Sequence, residues 1–148
     1  MLSKLFGKKT AQAKAEVQKF NNRDLMEAIV GGSLLIAYAD GELEDAELAN
    51  LEAQIQANPS LDHFGPEIGK TINRFTAMFD AGFRIGKMKV LREIADIKNT
   101  PQEAEEVFVT MITIAEADGE IEPAELEILK EVGRVLGVSL KEYGLDAA

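Results

Sequence analysis

Ala115-Glu-Ala-Asp-Gly-Glu-Ile-Glu-Pro-Ala-Glu-Leu126 is the stretch on which the reading of this chain turns, because the chain contains it twice. The first copy is Ala37-Tyr-Ala-Asp-Gly-Glu-Leu-Glu-Asp-Ala-Glu-Leu48, and nine of the twelve positions are identical at a constant offset of 78 residues. A fixed Asp-Gly, Glu and Glu-Leu order in both copies points to an internal duplication. Each copy reads as the end of one helix, an Asp-Gly turn, and the capped start of the next. Gly41 and Gly119 stop the incoming helix with positive φ. Glu44 and Glu122 fall at the N-cap, and Glu47 and Glu125 follow three residues later, where a capping-box acid returns to the N-cap amide. Pro123 occupies the first helical position, as that geometry predicts.

Working outward, Asn22 caps a helix to about Tyr38, in which Leu25, Met26, Ile29, Val30, Leu34 and Ile36 keep helical spacing. Gly31-Gly32-Ser33 inside it marks a close helix crossing. A helix from Glu44 to Ala57 ends at Asn58-Pro59-Ser60, and helices over 66–80 and about 83–98 follow. Gly82 and Gly86 have the spacing of small residues at a tight helix contact. Thr100-Pro101 opens the helix that leads into the second copy, and Pro123 to Leu136 leads out of it, with Gly137 as its C′ residue. Ser139 caps a terminal turn from which Tyr143 and Leu145 pack back. No strand-like alternation competes, so the class is all-α: a bundle of about seven helices, pseudo-two-fold through repeats at about 22–57 and 100–136. Residues 1–20 form a basic segment with a peripheral helix, and 21–148 a single domain.

Composition restricts function. The chain has 148 residues and no Cys, so disulfides, thiolate sites and Cys-His catalysis are not available; it has one His and no phosphate loop, and no Ser-His-Asp motif is read from it. The expectation is a non-enzyme without an organic cofactor. His63, beside Phe64, reads as a loop residue. A net charge of -10 opposes phosphate-backbone binding, so nucleic acid is not an expected partner. No run of eighteen apolar residues occurs. The charge is unevenly spread: residues 1–20 carry +4 and the rest -14. Two readings stand for the start: a basic end attracted to its own acidic body, or a peripheral membrane contact through Leu2, Leu5 and Phe6 with Lys4, Lys8 and Lys9. Between residues 70 and 92, Lys70, Arg74, Arg84, Lys87, Lys89 and Arg92 face one acid, Asp80. That stretch is either a solvated face or a docking surface for an acidic partner.

Capping does not account for all the acids. Five of residues 40–47 are Asp or Glu, and six acids crowd residues 116–127. Such crowding of hard oxygen donors favours Ca²⁺, Mg²⁺ or Mn²⁺, with Asp40, Glu44, Glu47, Asp118, Glu122 and Glu125 as the candidate ligands. With Gly41 and Gly119 at the sixth position of a calcium loop, the second half of that loop matches. The first half does not, because Ile36 and Ile114 would occupy the first position. The corners therefore read as half-sites, or as two loops that face each other.

The order and spacing of Asp40-Gly41…Glu47 and Asp118-Gly119…Glu125, the stretch Phe79-Asp80…Ile85-Gly86-Lys87, and the ending Gly137-Val-Ser-Leu-Lys-Glu-Tyr-Gly-Leu145 resemble the TerB tellurite-resistance family over nearly the whole chain. The resemblance implies an all-helical domain with a proposed metal site in its acidic loops. It also implies a setting in tellurite and chemical-stress resistance, in the cytoplasm or at the inner membrane face. The partners it implies are a TerC-like membrane protein and TerD-like calcium-binding proteins. A metal-independent protein–protein scaffold, with the acids as helix caps and docking surface, is the alternative.

Overall fold

The computed structural model describes residues 23–41, 43–117 and 119–145, and these are helical with no strand. The expectations for residues 1–20, for the Asn22 cap and for Asp118 fall outside the described residues. The centre of the fold is α1, helical over residues 23–37. Its spacing predicts an amphipathic helix, yet every residue from Leu25 to Ile36 is buried, including Glu27 and Ser33. A helix buried all round needs each of its polar groups hydrogen-bonded or paired. Ser33 meets this by donating its hydroxyl to the Ile29 carbonyl at 2.7 Å.

The glycine pair lets two neighbours approach α1 closely. A Cβ on Gly31 would lie 3.1 Å from a Val90 methyl, and one on Gly32 would lie 2.9 Å from the Met111 sulfur. Around this axis lie α2 (Asp45–Gln56), α3 (Pro66–Ala81), α4 (Phe83–Ala95), α5 (Pro101–Glu116) and α6 (Pro123–Leu136). Short 3-10 turns occupy Pro59–Phe64 and Leu140–Tyr143. Helix α4 ends at Ala95, earlier than its pattern suggests, and residues 96–99 form turns that place Ile97 in the core.

Helices α3 and α4 form a hairpin joined by Gly82. Gly86 lies beneath the Phe79 ring, where an added Cβ would come within 2.3 Å of a ring carbon. The small-residue reading thus applies at Gly86. Gly82 is an extended linker with only Ile85 nearby. Tyr38 stacks on Phe79 with centroids 4.7 Å apart, which ties the end of α1 to this hairpin. Helices α5 and α6 form the second hairpin, and Lys87 joins α4 to α6 through Glu131 at 3.2 Å. After α6, Gly137 takes φ 71° and Val138 N–H bonds the Gly133 carbonyl at 2.9 Å, a Schellman stop. The following turn begins with Ser139 Oγ accepting from Lys141 N–H, and Tyr143 packs on Phe108 at 5.0 Å.

Candidate functional site

The two acidic corners have nearly the same backbone. Gly41 N–H bonds the Tyr38 carbonyl at 2.8 Å and Gly119 N–H bonds the Glu116 carbonyl at 2.9 Å, with φ of 98° and 110°. The N-cap residues follow suit: Glu44 has φ -73° and ψ 153°, Glu122 φ -73° and ψ 155°. Their carbonyls open α2 and α6 by accepting from Leu48 and Leu126, both at 2.9 Å. Similar sequence has produced the same turn twice, as local capping chemistry dictates.

The side chains differ between the copies. At α6 the capping box forms, with Glu125 Oε1 accepting from the Glu122 N–H at 2.8 Å. At α2 the Glu44 side chain makes no cap bond. Acids in both first turns remain favoured by the helix dipole. Both corners open into one cleft of about 400 Å³, whose walls carry Asp40, Glu47, Glu122 and Glu125, with Asn50 and Gln54 alongside. Ile36, Leu43, Leu51 and Ile114 form its apolar part. Of the six candidate ligands, Asp40, Glu47, Glu122 and Glu125 line this one cleft. Glu44 faces away, into a separate hollow of about 380 Å³ with Tyr38, Phe79, Asp80 and Phe83. Among the described residues no three His, Cys, Asp or Glu side chains stand close enough together to hold an ion. What the cleft supplies is a set of hard carboxylate donors from both repeats.

The basic stretch is divided. Arg74 on α3 turns to Glu27 at 3.6 Å and lies over the Phe75 ring at 4.9 Å, and Lys87 is held by Glu131. Lys70, Arg84, Lys89 and Arg92 are exposed, and on α4 they are interleaved with the exposed side chains of Ile85 and Met88.

A second carboxylate group escapes any reading of the sequence. Glu27, in the buried face of α1, is bracketed by Arg23 at 3.3 Å and Arg74 at 3.6 Å. Glu93 of α4 meets it there. Burial, then a hydrogen bond to Glu27 and its charge, push the Glu93 carboxyl up to about 7, against the pull of Arg74. Burial also raises Asp24, with Asp96 and Glu27 adding to it, and raises Glu103, with Asp24 and Glu106 adding. Nothing in the spacing marks Glu27 and Glu93 as partners, since they lie 66 residues apart.

No described helix is long and apolar enough to cross a membrane. Comparison with curated proteins and with solved structures finds no match. Comparison with protein-family models finds one over residues 26–145, which takes in both hairpins and both acidic corners: tellurite resistance protein TerB. That match covers most of the chain, and the chain belongs to the TerB family of tellurite resistance proteins.

Proposed function

We propose that this TerB domain is a non-catalytic interaction module in tellurite and chemical-stress resistance, and that a divalent cation binds between its two acidic corners. One observation carries the reading: Asp40 and Glu47 of the first repeat share a cleft with Glu122 and Glu125 of the second. A cation there would offset the repulsion among these carboxylates and link the end of α1 to the start of α6. Ca²⁺, Mg²⁺ and Mn²⁺ fit such donors; Asp118 and Glu44 are the remaining candidate ligands from the sequence. The module would work in the cytoplasm, at times against the inner membrane face, beside TerC-like and TerD-like partners.

Calorimetric titration of chelator-treated protein with Ca²⁺, Mg²⁺ and Mn²⁺ tests this. Binding that is weakened at least tenfold by Asp40→Asn with Glu47→Gln supports it. No binding below about 1 mM, the weak end for protein calcium sites, refutes it.

A second reading is favoured by the capping box. Glu125 already serves the α6 N-terminus, as an acid retained for folding would. The domain is then a metal-independent scaffold whose exposed Lys70, Arg84, Lys89 and Arg92 dock an acidic partner. It predicts no heat from any cation, and weaker binding of a purified TerD-like partner by Arg84→Glu with Lys89→Glu.

A further inference from the structure

The acidic cleft is one half of a longer groove. It continues into an apolar hollow of about 330 Å³ between α2 and α5, and Gln54 and Ile114 line both. Ile29, Ile55, Val109 and Ile114 provide the apolar surface, and Val109 is 41% exposed. The hydroxyls here offer little to a polar ligand. Ser33, Thr110 and Thr113 each donate to a carbonyl of their own helix, at 2.7, 2.7 and 2.8 Å. The groove therefore asks for hydrocarbon at one end and positive charge at the other.

We propose that residues 1–9 of the same chain, Met-Leu-Ser-Lys-Leu-Phe-Gly-Lys-Lys, dock in this groove. Leu2, Leu5 and Phe6 fall at i, i+3 and i+4, one face of a helical turn, and Lys8 and Lys9 follow within a turn. That order matches the groove, with the apolar triad against Val109 and Ile114 and the lysines toward Asp40, Glu47, Glu122 and Glu125. With the peripheral helix expected before residue 21, residues 10–22 span ~23 Å, close to the ~26 Å along α1 from residue 23 to the acidic end of the groove, and a lysine side chain covers the remainder. Charge favours this occupant over a second copy. Residues 1–20 carry +4 against -14 on the remainder, while two whole chains of -10 repel. Tethering places the segment at a local concentration on the order of millimolar, so modest intrinsic affinity suffices.

The chain has no Trp, so Phe6→Trp in the full-length protein adds a single indole whose emission reports its own surroundings. In chelator-containing buffer, docking predicts emission at short wavelength, protected from acrylamide and independent of protein concentration. Adding Val109→Glu, at an exposed site, should return the emission to the solvent value. Glu47→Lys on exposed α2 should do so independently, with thermal melting by circular dichroism confirming that both variants stay folded. Solvent-like emission in the parent, or short-wavelength emission that neither groove variant changes, overturns the proposal. So does emission that moves only on adding phosphatidylserine vesicles, or only as protein concentration rises. These first would make the segment a membrane contact, the second a contact between chains.

Discussion

Replacing Glu93 by Gln should stabilise the protein at pH 8 and leave it nearly unchanged at pH 5. Glu93 is pushed from its ordinary 4.5 to about 7, chiefly by burial and then by Glu27. Between those values the folded state keeps a proton that the unfolded chain releases. Stability contributed by this carboxyl is therefore full below pH 4.5, declines through the window, and is gone above about 7. Taken at face value the displacement corresponds to ~3 kcal/mol. Glu93 is only half-buried, so solvent reduces this to about 1–2 kcal/mol. A glutamine keeps the donor toward Glu27 and carries no charge at any pH. At about 3 °C per kcal/mol for a chain of this size, Glu93→Gln should raise Tm by roughly 3–6 °C at pH 8. At pH 5 the difference should shrink to within about 1 °C. Asp24 and Glu103 are raised by burial as well, so they tilt the parent's stability curve the same way. Melting curves by circular dichroism from pH 5 to pH 8 measure all of this. Asp62→Asn removes one charge from the exposed surface and reports general repulsion. An offset between Glu93→Gln and the parent that is equal at both ends of the range, or no larger than that of Asp62→Asn, would refute the reasoning.

The glycines give a sharper contrast. Gly86→Ala forces a Cβ into the Phe79 ring and should cost about 1–3 kcal/mol, whereas Gly69→Ala, in α3 with open space around it, should add up to ~1 kcal/mol; urea unfolding midpoints compare the two. The caps test how alike the repeats are. Glu125→Ala removes the bond to the Glu122 N–H and should cost ~1 kcal/mol, while Glu44→Ala should change Tm by less than half as much. In the core, Phe108→Ala empties a fully buried site between α5 and Tyr143 and should cost about 3–5 kcal/mol, read by denaturant unfolding. A smaller loss there would mean that Tyr143 collapses into the space.

What the sequence determined by itself was whatever near neighbours decide. Pro101, Pro123 and Gly137 sit where their helices begin or end, because a missing N–H, a fixed φ or a left-handed residue acts on its own turn. The two Asp-Gly corners were legible for the same reason, down to matching N-cap angles. Helix spacing also located the core faces, but it could not tell that α1 is enclosed on every side. Enclosure depends on how many elements surround a helix, and the glycines at 31 and 32 only hinted at it. Glu27 and Glu93 carry no mark in the sequence, since the desolvation of Glu93 and its hydrogen bond to Glu27 arise only when packing brings α1 and α4 together. The candidate site divides along the same line. Its carboxylates were named from their clustering, but tertiary structure decided that Asp40 and Glu47 open onto the cleft of Glu122 and Glu125 while Glu44 points into another hollow. Capping energies act within a turn of the chain, whereas the burial and convergence of charges depend on contacts many residues apart.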